Sequence, residues 1–274
     1  MKRLKAENPD TEIQILGELI HNSHVISELE KLGIHTINDV KEVKSGCICV
    51  IRSHGAPPET IDEIVKRGAQ IKDLTCPDVK KVQQKAVELT KEGYLTLIIG
   101  KAEHPEVVAI KANAELFGDN VFVVSNADDI RKLSEKIKKA GKIGVVVQTT
   151  QKEEVLQSTV SAIIPLAKEI KVFNTICRST FFRQKEVKEL AEKSDLTVVV
   201  GGKNSANSTN LAQIASKITE TIHIEDADEL EKYKDLIDKA NTVSVTAGAS
   251  TPDDVIGDVI EKLNEYNKGK DIQK

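Results

Sequence analysis

Matched spacings between polar clusters constrain this chain more than any other feature. Thr149 follows His104 by 45 residues, and Ser250 follows Ser205 by the same 45. Cys76 precedes His104 by 28 residues, and Cys177 precedes Ser205 by 28. Intervals shared in this way mark an internal repeat, each copy being one supersecondary unit. Two kinds of segment recur three times each. One reads IQILGELIHNSHVISEL, LTLIIGKAEHPEVVAIK and LTVVVGGKNSANSTNLAQI. The other reads CICVIRSHGAPPETIDEIV, IGVVVQTTQKEEVLQSTV and TVSVTAGASTPDDVIGDVI. Each is a short Val/Ile-rich run, a polar cluster and the start of an amphipathic helix, the alternation of parallel α/β units. His21 and His54 stand only 33 residues apart, which a shortened loop explains.

A third short strand precedes each matched cysteine, in QIKDLTCP and KVFNTICRST. Three strand–helix steps per unit then give three small doubly wound domains, with boundaries expected at 1–75, 76–172 and 173–274. The last unit ends after a helix around Glu261, without a third strand or a cysteine. Symmetry predicts that this strand comes from the other end of the chain, and counting back from His21 places its cysteine upstream of Met1. The basic start MKRLKAENPD suits the end of a first helix. The open sheet edge that results would lower solubility relative to an N-terminally extended chain.

Composition serves mainly to exclude. A chain of 274 residues exceeds what one small core needs. A net charge of −4 gives no reason to expect nucleic acid, and with 3% aromatics and no tryptophan there is little to stack bases on. No apolar run approaches the roughly 20 residues that span a bilayer. The start carries no secretory signal, so a cytoplasmic location is expected. Four cysteines are too sparse for a disulfide framework, and no CxxC pair suggests a zinc ribbon.

All the polar clusters fall at the carboxyl end of a strand just before a helix, the place where open α/β sheets bind ligands. Helix N-termini offer unpaired N–H groups and partial positive charge. Pro105 and Pro252 sit where first helical residues are expected. A phosphate or diphosphate ester is the natural ligand. Taken singly, Asn22, Ser23, Thr149, Ser205 and Ser250 read as helix caps. His21, His54 and His104 fall at equivalent repeat positions, which favours ligand binding by the three together. Glu106 either complements a helix dipole or donates a proton in a site closed to water. Cys47 and Cys49 read as small core residues. Cys76 and Cys177, each after a strand and before a helix, read as ligands to a soft metal or an iron–sulfur cluster. Two thiolates alone are too few for a stable cluster.

With these residues in view, the chain resembles the LytB/IspH reductase family over essentially its whole length. The matching motifs are LIHN at 19–22, SHG at 53–55, TCP at 75–77, HPE at 104–106, QTT at 148–150, NTIC at 174–177, KNSANS at 203–208 and TAGAS at 246–250. The resemblance implies an α/β trefoil of three pseudo-equivalent domains around a central [4Fe–4S] cluster. It implies that Cys76 and Cys177 are two of three cluster ligands. It also implies that His21, His54 and His104 line a diphosphate pocket with Ser205, Asn207 and Ser250. Thr149 would lie near the substrate hydroxyl, and Glu106 would relay protons.

The reaction implied is reductive dehydroxylation of 4-hydroxy-3-methylbut-2-enyl diphosphate to isopentenyl and dimethylallyl diphosphates, the last step of the non-mevalonate isoprenoid pathway. Electrons would come from a ferredoxin or flavodoxin, since no GxGxxG fingerprint marks a nicotinamide or flavin site. The chain departs from the family pattern in lacking the GFC-type segment with the first cysteine, and in carrying Ala206 where some members have serine. Three readings follow: an active reductase recorded from an internal methionine, a short form that binds a diphosphate without a full cluster, and an unrelated phosphosugar-binding α/β protein.

Overall fold

The computed structural model, described over residues 1–17, 23–266 and 271–273, turns the apolar runs into parallel strands. They assemble as three four-stranded sheets. A short helix α1 (Lys2–Glu7) leads into the first, made of β1 (Ile13–Leu16), α2 (Ser23–Lys31), β2 (Ile34–Ile37), β3 (Ile48–Ile51), α3 (Pro58–Lys66) and β4 (Gln70–Asp73). The second contains α4 (Pro77–Lys91), β5 (Leu95–Ile99), α5 (Pro105–Glu115), β6 (Val121–Val124), α6 (Ala127–Lys132), α7 (Ser134–Ala140), β7 (Lys142–Val147), α8 (Glu153–Ile163) and β8 (Glu169–Val172). The third contains α9 (Arg178–Ala191), β9 (Leu196–Val200), α10 (Ala206–Ala215), β10 (Glu220–Ile224), α11 (Lys234–Lys239), β11 (Thr242–Ala247), α12 (Asp253–Tyr266) and β12 (Asp271–Gln273). The described residues fall into two compact units. One runs to Cys177 and holds the first two sheets; the other runs from Arg178, holds the third sheet and also takes in Ser23.

The sheets share one strand order: β2-β1-β3-β4, β6-β5-β7-β8 and β10-β9-β11-β12. Their inner strands are apolar on both faces, as parallel sheets covered by helices require. Every residue of β5 and β9 is buried. The outer strands β4 and β8 carry the short, charged sequences QIKD and EIKV, which discourage pairing with another chain.

Two expectations need correcting. Each sheet has four strands where the repeat suggested three, the extra ones being β2, β6 and β10. These are edge strands of four or five residues, and in β2 only Ile34 and Ile37 are buried, too little apolar sequence to mark a strand. The third sheet also has its last strand. β12 pairs in parallel with β11, Thr242 opposite Asp271, so the edge expected to be open is covered from the C-terminal side. A smaller difference concerns Pro252, which directly precedes α12, whereas Pro105 opens α5 as expected.

The first and third strands of each sheet lie side by side with the crossover helices diverging, which is where such sheets bind ligands. Register puts their carboxyl ends level. Leu16 pairs with Ile51, Ile99 with Val147 and Val200 with Ala247. The polar clusters therefore leave each sheet in adjacent pairs.

Candidate active site

In the first unit the site is built around Glu106. Helix α5 opens with Pro105, whose missing N–H costs nothing at a first helical position. His104 is its N-cap, and the ring Nδ1 accepts from the Glu106 backbone N–H at 3.2 Å. Glu106 is only 1% exposed. Its carboxyl accepts twice from Thr149 after β7, from the backbone N–H at 2.7 Å and from Oγ1 at 2.7 Å. Burial pushes the Glu106 carboxyl up to about 7, although the two Thr149 bonds pull the other way. His54, from the loop after β3, meets His104 edge to face with ring centroids 5.2 Å apart. The first unit thus gathers His54, His104, Glu106 and Thr149 at the carboxyl ends of two sheets.

The matched cysteines are tied to the same loops. Cys76 is the N-cap of α4, and its backbone N–H donates to the Ser53 carbonyl at 3.0 Å. The Cys177 N–H donates to the Thr149 carbonyl at 2.9 Å. Both residues are partly exposed, whereas Cys47 is 2% and Cys49 0% exposed. Those two pack with Ile37, Ile51 and Ile64, and burial pushes the Cys49 thiol up to about 11. Among the described residues no three His, Cys, Asp or Glu side chains come together as a metal-binding group. As donors to iron, Cys76 and Cys177 fit. The core thiols do not, so the 274 residues supply two accessible thiols.

In the second unit, Ser205 caps α10, its Oγ accepting from the Ser208 N–H at 3.4 Å. Asn207 is 6% exposed, and neither its amide nitrogen nor its carbonyl oxygen finds a partner among the described residues. The Ser208 hydroxyl is also buried without one. Ser250 follows β11 in a loop held to β9 by the Gly248 N–H and the Thr251 hydroxyl, both donating to the Val200 carbonyl. His21 lies outside the described residues.

Two contributors escaped sequence reasoning. Gln148 is 2% exposed and bridges the loops of the second sheet, its Oε1 accepting from the Lys101 N–H and its Nε2 donating to Thr150. Arg183 of α9 donates to the Ala247 carbonyl at 3.0 Å, at the root of the Ser250 loop. Gln148 is the first residue of the QTT motif. Arg183 reads in sequence as an ordinary solvated helix charge.

The LytB protein family model matches residues 1–264. A 4-hydroxy-3-methylbut-2-enyl diphosphate reductase of Pelobacter propionicus is 42% identical over 265 residues, spanning 96% of this chain and 91% of the relative. One from Geobacter sulfurreducens is 38% identical over 267 residues, spanning 97% and 91%. A solved structure of (E)-4-hydroxy-3-methyl-but-2-enyl diphosphate reductase, described as the terminal enzyme of the non-mevalonate pathway, matches with a TM-score of 0.70 and 36% identity over 96% of this chain and 91% of that one. The corresponding Plasmodium falciparum reductase matches with a TM-score of 0.89 and 26% identity, over 99% and 84%. With the family model matching nearly from end to end, and with the shared fold behind it, the chain belongs to the LytB family.

Proposed function

We propose that the protein reduces 4-hydroxy-3-methylbut-2-enyl diphosphate to isopentenyl and dimethylallyl diphosphates, with Glu106 as the proton donor. The observation that carries this reading is the buried Glu106 carboxyl, pushed up to about 7 and oriented by two bonds to Thr149. A carboxyl still protonated near neutral pH is poised to give its proton to a departing hydroxyl. The reaction consumes two electrons and two protons and releases one water. Thr149, bonded to the acid through its own hydroxyl, lies where it can align the substrate's hydroxyl with that proton.

The diphosphate is assigned to His21, His54 and His104 together with Ser205, Asn207 and Ser250. Support comes from the start of α10, where unpaired helix N–H groups and the unpartnered Asn207 amide offer donors to an anion. Ala206 offers only its backbone there.

Cys76 and Cys177 are assigned as ligands of a [4Fe–4S] cluster, whose third thiolate is not among the chain's other cysteines. When bound, the cluster supplies electrons singly and an iron acting as Lewis acid. A ferredoxin or flavodoxin is the proposed donor, and the cytoplasm, where thiols stay reduced, the proposed setting. No helix among the described residues is long and apolar enough to cross a membrane.

Anaerobic reconstitution with iron and sulfide, then iron counting and a dye-coupled assay on the allylic diphosphate, tests the proposal. Substrate loss with both alkenyl diphosphates appearing is the expected result. A fully loaded protein that leaves the substrate intact would overturn it. Tight diphosphate binding with no retained iron would point to the short, non-reducing form.

A further inference from the structure

Helix α9 begins with the residue after Cys177, and its first two turns carry an unusual surface. Phe181 and Phe182 are 40% and 51% exposed, two of only five phenylalanines in the chain. Their rings meet edge to face with centroids 5.7 Å apart, so they form one continuous apolar patch. The Arg178 guanidinium lies 5.4 Å from the Phe182 ring, and Lys185 follows one turn after Phe181 on the same face. Burying such rings in water-free packing is worth far more than leaving them wet, and lone soluble surfaces seldom display them together.

The charge on the N-terminal side of the patch has one sign. From Ile170 to Lys185 the sequence contains no Asp or Glu, while the exposed Arg178 and Lys185 flank the rings; the third cation, Arg183, is held by the Ala247 carbonyl. The positive end of the helix dipole adds to them. The first carboxylate, Glu186, stands one turn after Phe182 at the far rim, and the Lys185 ammonium stands 3.9 Å from Glu189, a loose and exposed pairing. The chain as a whole carries −4, so an acidic partner is favoured where cations cluster locally, as they do at the start of α9. Aromatic residues with arginine at the centre and lysine at the rim are the usual make-up of an interface hot spot.

We propose that the first two turns of α9, centred on Phe181 and Phe182, are the docking surface for a small acidic protein that carries one electron at a time. The inference rests on the proposed reductase function, which needs such a donor, and on the place of the patch directly after Cys177. From Arg178 to Phe182 the helix rises about 6 Å, so the docked carrier sits within a short span of the chain that bears an iron-ligating thiol. Each docking oxidises one reduced carrier by one electron. Two dockings supply the two electrons that one substrate molecule consumes.

The test uses the reconstituted full chain, a reduced acidic bacterial ferredoxin as carrier, and a reduced viologen dye as a donor that needs no docking. The variants are the pair Phe181→Ser with Phe182→Ser, and separately the exposed Lys185→Glu, which leaves the apolar patch untouched. Carrier affinity is measured by titration at low and high salt. The expected results are affinity lowered ~10-fold in each variant, wild-type affinity falling as salt rises, and carrier-driven turnover lowered while dye-driven turnover is unchanged. Unchanged carrier affinity in both variants, or no measurable binding by the wild type, overturns the proposal. Wild-type binding that the variants weaken, without turnover from either donor, supports the docking surface and overturns the reductase reading instead.

Discussion

Glu106 and Thr149 are joined by two hydrogen bonds of 2.7 Å, one from the threonine's backbone N–H and one from its hydroxyl, although 43 residues separate them in sequence. The pairing holds a fully buried carboxyl in one orientation. Replacing Glu106 with Gln keeps the shape and removes the transferable proton. We expect kcat to fall about 10²- to 10⁴-fold with iron content unchanged, the usual span for loss of a general acid. Steady-state rates beside iron counts on the same samples check this, and a variant retaining more than a tenth of the rate would sink the assignment.

The same carboxyl makes stability depend on pH in a predictable direction. Its value is about 7 in the folded protein against an ordinary 4.5, so the folded state holds its proton more tightly than the unfolded chain does. Below 4.5 both states are protonated and the contribution is fully present. As pH rises toward 7 the unfolded chain loses the proton first, and stability drains away until the folded group also ionises. The total is about 3 kcal/mol. Denaturation of wild type and Glu106→Gln between about pH 5 and about pH 8 isolates this group, with the wild type losing ground to the variant as pH rises. Parallel stability profiles would count against a raised value.

Thr149→Val removes the hydroxyl bond to Glu106 and leaves the backbone N–H bond in place. Both bonds favour the ionised carboxyl, so losing one moves its titration further upward. The acidic-form limb of the pH–rate profile should shift to higher pH in the variant. An unshifted limb would mean that Glu106 is not the group that titrates.

The four cysteines should separate cleanly by reactivity. Cys76 and Cys177 are partly exposed, whereas Cys47 and Cys49 are buried, and burial raises both of the latter thiols. Since the thiolate is the reactive form, alkylation of the native apoprotein should mark the first two and spare the second two. Iron bound on reconstitution should fall in Cys76→Ser and Cys177→Ser and persist in Cys49→Ala, which instead loses some stability as its side chain leaves the core. Mass-mapped labelling of Cys49 ahead of Cys76 would contradict the placement.

The fold's repeat was legible because its inner strands are uninterrupted Val/Ile runs and their loops carry recognisable clusters, as in LTLIIGKAEHPE and IGVVVQTT. The edge strands were not. Only Ile34 and Ile37 of β2 are buried, and β12 forms three pairs with β11 far from any sequence match to its counterparts β4 and β8. Sequence could place Glu106 and Thr149 at the same end of one sheet. Their direct bond depends on Ile99 lying opposite Val147, a register that no local pattern specifies. Arg183 was invisible for a related reason, since its partner is a backbone carbonyl 64 residues away.

Gly248 packs directly against the first turn of α10. A Cβ added there would lie 2.1 Å from the Ser208 hydroxyl, while one at Gly201 would lie 2.4 Å from it. Ser208 is fully buried in the first turn of α10, next to Asn207, so it cannot swing aside into solvent. Gly248→Ala must therefore displace the Ser208 side chain within its packed site or shift the start of α10, which we expect to cost about 1–3 kcal/mol and to raise the KM for the diphosphate more than it lowers kcat. Ser208→Ala removes the clashing oxygen and leaves a Cβ at 3.4 Å, an ordinary contact. The double variant should then recover most of the lost stability and KM, giving a favourable coupling energy in a double-mutant cycle. If Gly248→Ala is as stable as wild type, or if Ser208→Ala brings no rescue, the serine does not set the position of the helix that carries Asn207.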